Sequence, residues 1–400
     1  MRHFFTLGLL CLVCTGVCGQ SLLKDINSFL SPDNSPAPDV KPVAIGSTVY
    51  FVANDGINGF ELWKTNGTAA GTSLVRDIFP GPDDSYPKWL VEVNGILYFS
   101  ANDGLHGVEL WKSDGTAQGT VMVRNIVPSS TGSNPEYLIN NNGILYFAAG
   151  GEPNITYLPD RELWRSDGTA AGTVLVKNIN PSYSSEPASL VSHKGEVYFS
   201  ADINGSRQVW KSDGTAAGTV LLPGDVSLGT TPLVSSGDYV YFTALVPGNG
   251  TELCKTDGLT AGLVKNIHPT GNSTPSLLTD VNGTLFFVAA DASGNTREVW
   301  KSDGTEAGTV MVKDIYTGTT VNAPPSSLVN VNGTLFFVAY ESATGSELWK
   351  SDGTEAGTVM VKDILPSTSS NSHSQLVNVA GTLFFSGRDN SGNELWKSDG

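Results

Sequence analysis

The stretch that decides the fold runs from Ser346 to Ile364 and reads SELWKSDGTEAGTVMVKDI. Copies of its Glu-Leu-Trp-Lys-Ser-Asp-Gly-Thr core, some weakened or shortened, place the tryptophan position at residues 63, 111, 164, 210, 254, 300, 349 and 396. The sequence therefore repeats eight times, at steps of 44 to 53 residues. Self-similarity at such a period indicates one repeat architecture rather than several unrelated domains.

Four apolar runs make up each repeat, and the seventh repeat shows them clearly. Ser327–Val331 alternates apolar and polar side chains, as a strand does, and Asn332-Gly333 then gives the strongest two-residue hairpin signal. The other three strands are predicted at Thr334–Ala339, Glu347–Lys350 and Thr358–Ile364. Four short antiparallel strands in about 45 residues match one propeller blade. We therefore predict an all-β, eight-bladed β-propeller of four-stranded antiparallel blades.

The large side chain at the tryptophan position is expected to fill the gap between neighbouring blades, where one aromatic removes roughly 150–250 Å² from water. Cys254 takes this position in the fifth repeat, and its segment from Cys254 to Ile267 is two residues shorter than Trp164 to Ile179. We expect the fifth blade to pack least well.

Residues 1–19 are predicted to be a secretory signal peptide, and residues 20–400 a single propeller domain. Arg2 precedes an apolar run that is too short for a membrane span, and small residues precede Gln20. A lipid anchor on Cys14 or Cys18 is a weaker alternative, because the small residues that such a site needs do not precede either cysteine.

The two ends of the mature chain are complementary. Ser21–Ile26 matches the fourth strand of a repeat, whereas the eighth repeat stops at Gly400 after its third strand. We predict that the N-terminal strand closes the last blade, because this arrangement leaves no open sheet edge. The alternative is that residue 400 is an arbitrary cut in a longer array.

The chain is acidic, with 23 Lys and Arg residues against 39 Asp and Glu residues and a formal net charge of −16. Fifteen of the basic residues occupy two repeated positions, eight after the tryptophan position and seven in the predicted fourth strand. Because this spacing leaves no basic patch, it argues against nucleic acid as a partner. The acidity suits cationic partners or divalent ions.

No catalytic residue or metal site is predicted from the repeated positions. The Glu before Leu-Trp recurs in seven of eight repeats, whereas a catalytic pair needs unequal environments, so we predict a structural carboxylate. The Asp of Ser-Asp-Gly-Thr is typical of a turn. Cys254 is the one cysteine outside the signal peptide and is predicted to be a buried hydrophobe. The four histidines of the mature chain lie in different repeats.

Calcium is a possible ligand, although no cofactor is predicted. Asp389–Glu394 and Asp291–Asn295 resemble calcium-binding loops, but both lack the full acidic set of such a loop.

Seven Asn-x-Ser/Thr sequons occur, which are glycan acceptors in a secreted eukaryotic protein. The better candidates lie in variable loops: Asn154, Asn204, Asn249 and Asn272. The others belong to turns that the fold already explains: Asn66, Asn282 and Asn332. In a bacterial protein all seven would be incidental.

A binding surface is expected on the face that carries the variable loops, opposite the constant Asn-Gly and Asp-Gly-Thr turns, because function tends to sit on loops held by a rigid scaffold. The aromatic residues in or beside these loops are the candidate ligand-binding residues: Tyr86, Trp89, Tyr137, Tyr157 and Tyr183. Such residues suit sugars or a protein partner. The alternative for Trp89 is that it caps the start of its blade.

The repeat Glu-Leu-Trp-Lys-Ser-Asp-Gly-Thr-x-x-Gly-Thr resembles the ELWxxDGT repeat family of secreted or surface proteins. The resemblance covers residues 21–400 and departs at Cys254 and Leu259 and in the shortened last repeat. It implies an extracellular propeller and no particular activity.

We expect a secreted, monomeric, non-enzymatic binding or structural protein: an extracellular matrix, cell-surface or adhesion component whose partner is an extracellular protein or glycan. Three alternatives stay open. The first is a lectin-like carbohydrate-binding propeller. The second is a secreted hydrolase or lyase with a channel site, which requires a non-repeating group of acids or bases. The third is an acidic matrix protein associated with calcium mineral.

Overall fold

The computed structural model describes residues 24, 26, 40–151, 160–229, 232–292, 297–317, 323–364, 374–389 and 392–400. These residues form 32 strands in eight antiparallel sheets, and none of them lies in a helix. The predicted fold class, an all-β, eight-bladed β-propeller, is thereby confirmed.

In the first four blades the strands pair in chain order. Blade 1 contains β1 (Val43–Ile45), β2 (Thr48–Asn54), β3 (Phe60–Thr65) and β4 (Ser73–Arg76). Blade 2 contains β5 (Lys88–Val93), β6 (Ile96–Asn102), β7 (Val108–Ser113) and β8 (Val121–Arg124). Blade 3 contains β9 (Glu136–Asn141), β10 (Ile144–Gly150), β11 (Arg161–Ser166) and β12 (Val174–Lys177). Blade 4 contains β13 (Ala188–His193), β14 (Glu196–Ile203), β15 (Ser206–Ser212) and β16 (Val220–Leu221).

The remaining blades keep this order, with a departure in blade 5. Blade 5 contains β17 (Ser227–Leu228), β18 (Val234–Ser236), β19 (Tyr239–Val246), β20 (Gly250–Thr256) and β21 (Ala261–Lys265), and both β17 and β18 pair with β19. Blade 6 contains β22 (Ser276–Val281), β23 (Thr284–Ala290), β24 (Arg297–Ser302) and β25 (Val310–Lys313). Blade 7 contains β26 (Ser326–Val331), β27 (Thr334–Glu341), β28 (Gly345–Ser351) and β29 (Val359–Lys362). The described strands of blade 8 are β30 (Ser374–Val379), β31 (Thr382–Asp389) and β32 (Gly392–Ser398).

The chain divides into two compact units, residues 1–205 with 210–220 and residues 206–209 with 221–400. Inside each unit the tryptophan of one blade packs on the preceding blade. In the first unit, Trp111 clusters with Leu62 and Ile78 of blade 1. In the second, Trp349 clusters with Val299 and Val312 of blade 6. The predicted filling of the gaps between blades is confirmed within each unit.

The regularly spaced basic residues join neighbouring blades. Lys112 Nζ donates to the Gly168 carbonyl at 2.8 Å, and Arg124 Nη1 donates to the Thr173 carbonyl at 2.6 Å. The Arg124 guanidinium also lies over the Trp164 ring, 6.0 Å from its centroid, which adds a cation–π contact. These side chains therefore serve the packing between blades, which explains their repeated positions.

The Asp-Gly-Thr turn is held by its own side chains. Asp114 Oδ1 accepts the Thr116 N–H at 2.8 Å and the Thr116 hydroxyl at 2.7 Å, and Thr116 Oγ1 accepts the Gly119 N–H at 2.9 Å. A Cβ on Gly119 would lie 2.0 Å from Asp114 Oδ1, so only glycine fits there. The predicted turn-forming role of the aspartate is confirmed.

Two residues near the N-terminus have the contacts of a fourth strand that precedes blade 1. Lys24 Nζ donates to the Thr72 carbonyl at 2.7 Å, as Arg124 does to the Thr173 carbonyl between blades 2 and 3. Ile26 packs against the cluster that contains Trp63. The predicted pairing of Ser21–Ile26 with the last blade involves residues 21–23 and 25, which lie outside the described residues, as does the predicted signal peptide.

Replacement of Ile26 by alanine tests this placement. Ile26→Ala should destabilise the protein by about 2 kcal/mol, the lower end of the range for a large-to-small core substitution, because its side chain is partly buried against blade 1. The matched control is Ile57→Ala, since Ile57 is 59% exposed and its loss should cost under about 0.5 kcal/mol. Thermal unfolding measures both, and equal melting temperatures would contradict the placement.

Candidate functional site

The glutamate before each Leu-Trp pair anchors the connection to the next blade. Glu61 is fully buried, and its carboxylate accepts the N–H of Ile78 at 3.1 Å and of Phe79 at 3.2 Å. It also accepts the Ser85 N–H at 3.3 Å and the Ser85 hydroxyl at 2.6 Å. The connection that follows β4 is thereby fixed on β3 of its own blade.

The same anchor recurs, which confirms the predicted structural carboxylate. The glutamates of blades 2, 3 and 5 each bind a serine hydroxyl in this way, through the pairs Glu109–Ser133, Glu162–Ser185 and Glu252–Ser273. Burial raises the pKa of Glu61, Glu162 and Glu298 to about 7. A raised pKa can mark a catalytic acid, but these carboxylates are buried and do not reach solvent.

The anchored connections deliver aromatic side chains to the start of the next blade. Ser85, held by Glu61, immediately precedes Tyr86. On β5 the pairing shifts between Lys88–Ser100 and Val91–Tyr98, so that one extra residue forms a bulge. Trp89 lies in this bulge with φ +57°. Tyr137 lies in the equivalent bulge of β9 with φ +55°.

Trp89 and the half-buried Tyr137 form an aromatic pair. Their ring centroids are 4.7 Å apart with an interplanar angle of 42°, and Trp89 is 39% exposed. Beside them a cavity of about 260 Å³ is lined by residues of blades 2 and 3, including Tyr86, Asn134 and Glu136. We call these five residues, Tyr86, Trp89, Asn134, Glu136 and Tyr137, the Trp89 face.

One arginine orients the polar part of the Trp89 face. Arg161 Nη2 lies 3.1 Å from Glu136 Oε2, Arg161 Nε lies 3.2 Å from Glu186 Oε2, and Nη1 donates to the Asn134 carbonyl at 2.9 Å. The Arg161 side chain is 16% exposed, whereas those of Glu136 and Glu186 are 44% and 52% exposed. Both carboxylates are thus fixed in direction and still open to solvent.

Tyr86 is held in place by Phe60 and Asp84 rather than by Arg161. Its ring stacks on Phe60 with centroids 5.8 Å apart, and its N–H donates to the Phe60 carbonyl at 3.2 Å. A hydrogen bond to the Asp84 carboxylate raises the pKa of Tyr86, so the phenol stays protonated at neutral pH. Tyr86 is 51% exposed and offers its ring and hydroxyl to a ligand.

The structure brings together three of the five aromatic residues chosen from the sequence: Tyr86, Trp89 and Tyr137. Tyr183 does not line the cavity and is 74% exposed, while Tyr157 lies outside the described residues. Sequence reasoning missed Asn134, Glu136 and Arg161. A signal was present, because Arg161 stands where blades 1 and 2 carry an apolar side chain before the repeated glutamate.

The remaining candidates from the sequence are a metal site, the two calcium-like loops and Cys254. Among the residues that the structure describes, no group of three or more His, Cys, Asp or Glu could hold a metal ion. The predicted calcium loops include residues 293–295 and 390–391, which lie outside the described part of the chain. Burial raises the pKa of the Cys254 thiol to about 12, which leaves it unreactive.

No described part of the chain forms a helix with the length and hydrophobicity that crossing a membrane requires.

In fold, the chain is similar to solved structures of hydrolases. Puromycin hydrolase is 14% identical, with a TM-score of 0.44 over 88% of this chain and 58% of that one. The β-propeller domain of the Trilobed protease from Pyrococcus furiosus is 10% identical, with a TM-score of 0.43 over 80% of this chain and 94% of that one. A prolyl endopeptidase is 11% identical, with a TM-score of 0.46 over 87% of this chain and 53% of that one.

No protein-family model matches the chain, and no curated protein matches it in sequence. The resemblance to the ELWxxDGT family therefore stays a prediction.

The solved structures correct the expectation of a non-enzymatic matrix, surface or adhesion component. The solved structures that are similar in fold are a hydrolase and peptidases, so this expectation is not carried forward. The expectation of no enzymatic activity was drawn from the repeated glutamates. Their shared environment argues against catalysis at those repeated positions only, not elsewhere in the chain. At 10–14% identity these structures share the fold alone, and they assign no catalytic residue here.

Replacement of a glutamate anchor tests the electrostatics of this framework. The pKa of Glu162 is raised from 4.5 to about 7, so the stability that it contributes is complete below about pH 4.5 and is lost as the pH rises through about 7. Glu162→Gln should flatten the dependence of the melting temperature on pH between about pH 5 and pH 8. It should also lower stability by about 1–3 kcal/mol, because the amide leaves buried donors unpaired.

Exposed Glu355→Gln is the control for the change of charge, and its melting temperature should follow that of the wild type at each pH. A Glu162→Gln profile parallel to the wild-type profile would contradict the raised pKa.

Proposed function

We propose that the propeller binds carbohydrate at the Trp89 face. The observation that carries this proposal is the exposed Trp89 ring, packed on Tyr137, beside an oriented acid, Glu136. Aromatic rings pack against the apolar C–H surface of a sugar, and carboxylates and amides bind its hydroxyl groups. The Trp89 face supplies both kinds of contact within one cavity.

The dimensions of the cavity suit a short saccharide. Its volume of about 260 Å³ lies just below the roughly 300–1,000 Å³ that is typical of sites for drug-sized ligands. Glu136 accepts hydrogen bonds, the Asn134 amide donates and accepts them, and the Tyr86 hydroxyl, whose proton is hydrogen-bonded to Asp84, accepts them. One or two sugar units could satisfy these groups, and a longer chain would continue into solvent.

The bulges of β5 and β9 support the proposal because they place Trp89 and Tyr137 beside the cavity. Non-glycine residues with positive φ are uncommon and often mark functional positions. The same bulge occurs elsewhere with other side chains, such as Ser189 and Leu277, both at φ +55°. The bulge is thus a general property of the repeat, whereas the aromatic side chains within it are particular to blades 2 and 3 and point to a ligand.

Cleavage of the bound glycan is the second candidate function. The observation that favours it is the pair of accessible carboxylates, Glu136 and Glu186, that Arg161 holds beside the Trp89 face. This is a non-repeating acid group of the kind that the hydrolase alternative requires. Glycoside hydrolysis needs two carboxylates that flank the scissile bond, and Glu136 and Glu186 are the residues that we assign to that role.

A glycan array followed by product analysis tests both candidates. Trp89→Ala should weaken binding to the best wild-type ligand by about tenfold or more, through loss of aromatic stacking. Tyr183→Ala is the matched control, because Tyr183 is exposed and lies outside the cavity. Binding that survives Trp89→Ala unchanged, or no binding to any glycan, would refute the proposal.

The same samples separate binding from cleavage. If the protein shortens its ligand, Glu136→Gln and Glu186→Gln should each abolish the products while the Trp89-dependent binding remains. A ligand that stays intact with the wild type leaves binding as the function and rejects cleavage of that glycan.

We further propose secretion with N-linked glycans on exposed loops. Asn204 lies in the exposed turn between β14 and β15, and Asn272 lies exposed after β21. Asn332 is a poorer acceptor, because its Nδ2 donates to the Gly381 carbonyl at 3.2 Å.

On expression through a eukaryotic secretory pathway, Asn204→Gln and Asn272→Gln should each remove one mass shift that peptide-N-glycosidase also removes. Asn332→Gln should change nothing, and an unglycosylated secreted protein would contradict the proposal.

A further inference from the structure

The fourth blade breaks the glutamate pattern. Gln208 takes the place that a glutamate holds in the other seven repeats, and in six of them that glutamate is buried. In blade 3 that glutamate, Glu162, is 1% exposed and binds the backbone N–H of Ile179 at 2.9 Å. Gln208 is half-buried, and its side chain makes no hydrogen bond with any residue that the structure describes. The anchor between strand and connection is therefore missing in blade 4.

A cavity lies where the anchor is missing. It has a volume of about 450 Å³ and lies between the start of β15, the connection 224–227 and the β19–β20 hairpin at 245–250. All of its lining residues belong to the second compact unit. The cavity is thus separate from the Trp89 face, which lies in the first unit.

The lining of the cavity is rich in groups without partners. Asp225 is exposed and forms no ion pair or hydrogen bond within the described part of the chain. The Gln208 amide and the hydroxyls of Ser206 and Ser227 lie around it, and Leu245, 53% exposed, adds an apolar wall. No Lys or Arg lines the cavity, so its charge is negative. Arg207 is adjacent in sequence and is not among the lining residues.

We infer that this cavity binds a small amine that carries hydroxyl groups, of the size of an amino sugar. The ammonium group pairs with the Asp225 carboxylate. The ligand hydroxyls bind the Gln208 amide and the two serine hydroxyls, and the carbon skeleton packs on Leu245. A neutral sugar of the same shape lacks the charge and binds more weakly.

Titration with glucosamine and glucose tests the inference, by calorimetry on the whole chain at a pH of about 6, where the amine is protonated. Expression without glycosylation is required, because the sequon residue Asn249 lies between lining residues Gly248 and Gly250. Glucosamine should bind at least about tenfold more tightly than glucose, as one added charged hydrogen bond implies. Asp225→Asn should reduce glucosamine binding to the level of glucose, whereas exposed Glu306→Gln should leave it unchanged.

Gln208→Ala provides an independent check on the position of the site, and it should weaken both ligands together. Melting temperatures of all variants confirm that they fold. Equal affinities for glucosamine and glucose, no glucosamine binding at millimolar concentration, or glucosamine binding that is unchanged in both Asp225→Asn and Gln208→Ala would overturn the inference.

Discussion

The hydrogen bond between a buried glutamate and the serine of the following connection is the constraint that fixes the path of the chain after blades 1, 2, 3 and 5. Burial of a carboxylate is costly unless strong donors surround it. In blade 1 the donors come from the connection itself, and Ser85 Oγ lies 2.6 Å from Glu61. The connection must therefore adopt one path, and the residue after Ser85 enters blade 2 from a fixed point. An apolar contact at this position would not specify the direction of the chain.

Two kinds of contact stabilise different parts of the structure: one kind joins neighbouring blades, and the glutamate anchors fix the connections. Tryptophans and basic residues join each sheet to its neighbour, as Arg124 does through Trp164 and the Thr173 carbonyl. The glutamates fix the connections that carry variable side chains. Mutation of a loop residue therefore leaves the core intact, and the same framework can present different groups. Because different residues stabilise the blade packing and carry the variable side chains, a binding site can be formed in one blade without disturbing the packing of the others.

Much of the fold could be predicted from the sequence, because every repeat carries the same turn and core signals. Asp114 and Gly119 are readable as turn residues, and Trp111 as a packing residue. The bulge at Trp89 could not be predicted, since its positive φ has no signature in side chains as different as Trp89, Ser189 and Leu277. The aromatic candidates were visible, but their convergence depends on that bulge. The Glu136–Arg161–Glu186 group joins residues from separate strands and connections, which local patterns do not reveal.

Departures from the repeat are the most informative positions of this chain. A residue that occurs in seven or eight blades serves what all blades share, and that is folding. Glu136 and Gln208 occur where the other blades carry different side chains, whereas the position of Arg161 is also an arginine in blades 4 and 6. Gln208 removes an anchor, and polar groups around the cavity there have no partner among the residues that the structure describes. Arg161 adds a charge that orients two accessible acids. Because Glu136 and Gln208 lie outside the common pattern, the shared fold does not account for them, and each of the two proposed cavities is lined by one of them.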